Sequence, residues 1–169
     1  MIYYNENLSK LYQTKEWFDA YGLVQLLDKG FEFMTKREQW EAVSKFTGKV
    51  NAVNCGMFMM QTRKSEWPQA VQIINSLGYP QNKEALPYLM ELLLDPNWPG
   101  SQDAMSVLSK VEKSCLLPLI EKAIHDAYSS QDDLWLLGIQ MLVDITKISR
   151  KDFANQDLFT LLKFADGEW

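Results

Sequence analysis

Residues 95–105 read DPNWPGSQDAM and hold the second of two Trp-Pro pairs. The first pair, Trp67-Pro68, lies 31 residues before Trp98-Pro99. At that one offset other positions coincide without a gap. Leu77 falls on Leu108, Leu86-Pro87 on Leu117-Pro118, Leu89 on Ile120 and Asp95 on Asp126. Two proline-containing pairs and their leucines in one register indicate a repeated unit.

Each unit divides into two helical stretches. In PQAVQIINSL (68–77), Val71, Ile74 and Leu77 share one face, with Ile73 beside them, and Gly78 and Pro80 then stop the helix. ALPYLMELLL (85–94) repeats the three-and-four spacing through Leu86, Leu89, Met90 and Leu93, and Asp95-Pro96-Asn97 turns the chain. Pro99 is expected to open the next helix, where a missing N–H costs least. Pro87 and Pro118 are expected near the starts of their second helices. The tryptophans are expected to fill the space between adjacent hairpins.

A third unit begins at SSQDDLWLLGIQMLVDI (129–145), with Ser130 as N-cap and Asp133 three residues on. Trp135 takes the place of Trp98 at an offset of 37, so six residues are inserted. Ser149 and Asp152 give a second capping-box spacing in the closing segment.

The first 64 residues do not follow this beat. Thr35 and Glu38 have capping-box spacing before WEAVSKF, and LYQTKEWFDAYGLVQLLDKGF (11–31) is amphipathic. VNAVNCGMFMMQ (50–61) is read as helix, with a short strand as its alternative and Asn54-Cys55-Gly56 as a possible turn. The expected class is all-α. Its finer form is a right-handed α-α superhelix of helical hairpins over 65–169, with a helical N-terminal region over 1–64 packed into one continuous domain.

The pattern resembles HEAT-type α-solenoid repeats, through ALPYLMELLLD followed by a turn and another apolar helix. LMELLLDPNWPGSQ, with SSQDDLWLLGIQML downstream, is similar to an uncharacterised bacterial domain family carrying D-x-N-W-P and then D-D-x-W. The resemblance covers roughly 66–147. It implies a fold and no activity of its own. By analogy with small acidic helical-repeat proteins of bacteria, it implies an immunity protein for a secreted toxin.

Charge sharpens that expectation. Residues 1–64 hold nine Lys and Arg against seven Asp and Glu, while residues 65–169 hold eight against fifteen. The acidity belongs to the C-terminal part, which disfavours a nucleic-acid partner and favours a basic protein. Asp95, Asp126, Asp132 and Asp133 are expected at turns along one edge, as a ridge for such a partner. The competing reading is that these aspartates cap helices and solvate turns. Asn97, Trp98 and Trp135 complete the candidate contact set, with inter-repeat packing as the alternative role of the tryptophans.

No residue is assigned to catalysis, to a cofactor or to a metal. His125 is the chain's one histidine and is expected near a helix C-terminus, where the dipole favours it. Cys55 and Cys115 read as small buried hydrophobes rather than nucleophiles. The MFMM cluster (57–60) reads as core filling, with a binding groove as the rarer role. The start has no signal-peptide pattern, and the uncharged run 50–62 is too short to span a bilayer. A reducing cytoplasm is the expected compartment. A non-catalytic binding protein is expected. A scaffold or adaptor is the alternative, and a helical-repeat DNA glycosylase ranks lower because its basic groove is missing from the sequence.

Overall fold

The structure, a computed structural model, describes residues 50–62 and 64–166. The expected helices of 11–31 and the Thr35–Glu38 cap lie outside the described residues. Seven α-helices and five 3₁₀ turns make up the described elements, with no strand among them. The chain divides into two compact units, Met1–Ala85 and Leu86–Trp169.

In the first unit, α1 spans Cys55–Gln61 and α2 spans Trp67–Leu77. The ambiguous 50–61 stretch is therefore helical from Cys55 onward, with residues 52–54 forming a turn before it. The Asn51 side-chain oxygen accepts hydrogen bonds from the backbone N–H of Val53 (2.9 Å) and Asn54 (3.3 Å). That local pairing is what asparagine offers before a helix. Helix α1 packs on α2 and on the 3₁₀ turn Lys83–Ala85. Phe58, Val71, Ile73 and Ile74 are buried there, and so are Met57 and Met59, as core filling requires. Gly78 ends α2 at φ +67° and ψ 161°, a conformation that glycine alone adopts readily.

In the second unit, α3 spans Leu86–Glu91 and continues as a 3₁₀ turn, Leu92–Leu94. Then come α4 (Ser101–Leu108), α5 (Lys113–Ser130), α6 (Asp133–Thr146) and α7 (Gln156–Leu161). The 3₁₀ turns Arg150–Asp152 and Leu162–Asp166 flank α7. Helix α6 is central. It packs against α5, against Leu92–Leu94 and against Leu162–Asp166. Leu136, Ile139, Leu142 and Val143 form its buried face.

One close approach sets the seat of α6. A Cβ placed on Gly138 would lie 2.2 Å from the main-chain oxygen of Leu93. Glycine lowers helix propensity by about 1 kcal/mol relative to alanine, so its presence mid-helix needs a reason. The reason is backbone against backbone, a distance no other residue permits. Three residues earlier, the Trp135 indole N–H donates to the Met90 carbonyl at 3.3 Å. The pairs 90–135 and 93–138 advance together along both segments.

Helix ends correct several sequence expectations. Leu77 and Leu108, in register, each close their helix. The Trp-Pro pairs differ, however. Trp67 and Pro68 open α2, whereas Trp98-Pro99 lies in the turn before α4, with Gly100 at φ +82° as N-cap. The left-handed Gly100 delays the helix start to Ser101. Pro87 is the second residue of α3, as expected, but Pro118 is the sixth of α5. Its missing N–H frees the Ser114 carbonyl, and both residues are exposed, where water can serve that oxygen. Ser130 does not cap α6. It ends α5, and its hydroxyl donates to the carbonyls of Asp126 (3.0 Å) and Ala127 (3.1 Å). Asp132 caps α6 instead. The Ser149–Asp152 capping box is present, on a 3₁₀ turn.

Candidate partner-binding surface

The candidate residues all sit in or between helices of the second unit, and most serve their own local structure. Asp95 follows Leu92–Leu94, and its Oδ1 accepts from the Asn97 N–H at 2.8 Å. Pro96 forces this turn, since the residue before a proline is pushed out of the helical region. Asn97 is exposed at the turn's tip, and Trp98 is half-buried behind it.

Asp126 is not at a turn. It lies four residues inside the end of α5, because no proline follows it and the helix runs on to Ser130. Its carboxylate pairs with Lys122, one helical turn back, and lies 3.4 Å from Nδ1 of His125. Partial burial works against its ionisation. The hydrogen bonds from Lys122 and His125 outweigh it and hold the carboxyl below the usual range. His125 is exposed and sits outside the last turn of α5, so the dipole argument does not place it.

Asp132 and Asp133 stand at the start of α6. Asp132 Oδ1 accepts from the Trp135 N–H at 2.9 Å, which satisfies one orphan donor of the first turn. Asp133 is exposed, and its Oδ1 accepts from the Leu134 N–H at 3.0 Å. Trp135 is half-buried and anchored to Met90, so it acts first as a clamp between α6 and α3. Turn formation and capping thus explain the local bonds of Asp95, Asp132 and Asp133, whereas Asp126 is held within α5 by Lys122 and His125. Of the four, Asp133 is exposed and Asp95, Asp126 and Asp132 are half-buried.

The cysteines stay free. Cys55 is fully buried with its sulfur 3.6 Å from the Gln81 carbonyl, and burial pushes its thiol pKa up. A raised pKa withholds the thiolate that nucleophilic or metal chemistry needs. Among the described residues, no group of three or more His, Cys, Asp or Glu is placed to hold a metal. No helix among them is long and apolar enough to cross a membrane.

Two features escaped the sequence reading. A cleft of about 420 Å³ is lined by Val143 and Asp144 of α6, Arg150, Phe159 of α7, Leu162 and Lys163. Arg150 lies 4.0 Å from Asp157, and the Lys163 ammonium sits 4.8 Å from the Phe164 ring centre. Beside this cleft the solvent face of α6 is apolar, with Leu134 47%, Leu137 38% and Ile145 53% exposed. The signal was present in LWLLGIQMLVDI, which is apolar around most of the helix and not along one stripe. No protein-family model, curated protein or solved structure matches this chain.

Proposed function

We propose that this protein is a non-catalytic binding module whose acidic surface takes a basic protein partner, and that the partner is a nuclease-type toxin domain it neutralises. The observation that carries this is the charge of the second unit. From Leu86 onward seven Lys and Arg face thirteen Asp and Glu, and Asp133, Asp144 and Asp157 among them are exposed. A field of one sign steers an oppositely charged partner and raises its association rate steeply at low ionic strength. A nuclease groove, basic because it binds phosphates, is the complementary surface.

The finer fold reading, HEAT-like hairpins wound into a right-handed superhelix, belongs to the same proposal. It is supported by the in-register helix ends at Leu77 and Leu108. It must accommodate the unequal placement of the two Trp-Pro pairs.

The test is titration of the full chain against a basic nuclease-type toxin domain, sought first among the products of neighbouring genes. Association should weaken markedly between low and high salt, because the Debye length falls from about 30 Å at 0.01 M to about 8 Å at 0.15 M. Asp95→Lys with Asp126→Lys and Asp133→Lys should slow association by about tenfold. An affinity indifferent to salt and to these reversals would refute the proposal.

A further inference from the structure

The solvent face of α6 is the feature that local structure leaves unexplained. Leu134, Leu137, Met141 and Ile145 follow one another at spacings of three and four, so they lie on one face. The opposite face carries Leu136, Ile139, Leu142 and Val143 into the core. The row, exposed at Leu134, Leu137 and Ile145 and half-buried at Met141, runs about 16 Å, the length of three helical turns. Scattered exposed leucines are ordinary, but a contiguous apolar row on the outer face of a central helix is what an interface core looks like.

Charge identifies the occupant. Asp133 and Asp144 border the row along one edge, both exposed, and neither makes an ion pair among the described residues. The two cations that line the cleft with Asp144 are engaged elsewhere, and Lys147 lies past the helix. Arg150 faces Asp157, Lys163 sits over Phe164, and Lys147 is the C-cap beyond the last turn. A second copy docking through this face would bring like acids together. The row is also on the order of a few hundred Å², short of the ~800 Å² per partner of a self-sufficient dimer.

We infer that the Leu134–Leu137–Met141–Ile145 face of α6 is the docking surface for a basic amphipathic helix of a protein partner, apolar side inward and Lys or Arg against Asp133 and Asp144. The inference deepens the proposed function and rests on it for the partner being a basic protein. A helix laid on a helix face is read through such spaced anchors, with flanking charges setting the register.

The experiment titrates the full chain with two labelled helical peptides of about eighteen residues. They share one leucine pattern, with Lys in one and Glu in the other at all polar positions, and binding is read by fluorescence anisotropy. The Leu/Lys peptide should bind and the Leu/Glu peptide should not. Leu137→Asn with Ile145→Asn should weaken binding about tenfold to a hundredfold. Because these side chains are exposed, urea denaturation should show the variant's fold intact. Asp133→Lys with Asp144→Lys should reverse the peptide preference.

Failure of both peptides to bind, equal binding of both, or unchanged binding by the Asn variant would overturn the inference. So would a concentration-dependent dimer in sedimentation that the Asn variant abolishes, since a second copy would then be the occupant. The nuclease domain serves as the second titrant. If it binds wild type and Asn variant equally, the face is not the docking surface while the function reading stands. If it fails to bind while the Leu/Lys peptide binds in an Asn-sensitive way, the face stands and the toxin reading falls.

Discussion

Replacing Gly138 by alanine should destabilise the second unit by about 2 kcal/mol, although alanine is the better helix former. The added methyl would meet the Leu93 oxygen at 2.2 Å and the Leu93 carbonyl carbon at 3.1 Å. A carbon–oxygen contact relaxes only near 3.3–3.6 Å, so the two segments must separate by about 1 Å. That shift acts on Leu89, Leu93, Ile139 and Leu142, all at 0% exposure, and strains the Trp135–Met90 hydrogen bond. Overpacking of this kind costs about 1–3 kcal/mol, and a main-chain oxygen cannot swing aside, which favours the upper end. The helix-propensity gain of about 1 kcal/mol offsets part of it. Urea denaturation followed by far-UV circular dichroism measures the difference. The corresponding fall in Tm is about 4–8 °C. Leu93→Ala should not rescue the variant, because the obstacle is backbone and not side chain. A variant as stable as the parent, or more so, would refute the backbone contact on which the seating of α6 depends.

Other perturbations test separate joints. Gly78→Ala should cost about 1–3 kcal/mol through backbone strain alone, since nothing lies within 4 Å of the added methyl, and thermal melting should show it. Asp132→Ala removes the cap on the Trp135 N–H and should lower stability by about 1 kcal/mol in the same assay. Trp135→Phe should cost about 1 kcal/mol for the lost bond to Met90, and its effect should not add to that of Gly138→Ala, because both act on one contact. Asp152 is held below the usual carboxylate range by the Ser149 hydroxyl and then the Ser149 N–H. Asp126 is held low by Lys122 and His125 against burial. A depressed carboxylate stabilises fully above its unfolded pKa near 3.9 and ceases to do so as pH falls through the lower folded value. Stability should therefore drop below about pH 4, and Asp152→Asn should flatten that limb of the pH profile.

Helix content was legible because three-and-four spacing and glycine or proline punctuation act within a few residues. Helices α2 and α3 fall where 68–77 and 85–94 were read. The Ser149–Asp152 box was legible for the same reason. What misled was reading two copies as equal. Asp126 aligns with Asp95, yet Pro96 ends one helix and Ala127 lets the other continue, so only one of the two aspartates reaches a turn. Ser130 had the spacing of a cap, but α5 extends over it, and where one helix stops depends on more than the next helix's start.

By itself the sequence determined the helical class of the described residues, the bounds of α2, the turn at Asp95 and the concentration of negative charge after residue 65, all of which follow from local geometry or simple counting. Only the tertiary structure decided that Gly138 is the point of contact with Leu93, that Trp135 clamps α3, and that Leu134, Leu137 and Ile145 face solvent while Leu136, Ile139 and Leu142 do not. A helix apolar on nearly every side carries no internal mark of which side its neighbours will cover. That choice is made by the segments packed against it, which lie tens of residues away in the chain.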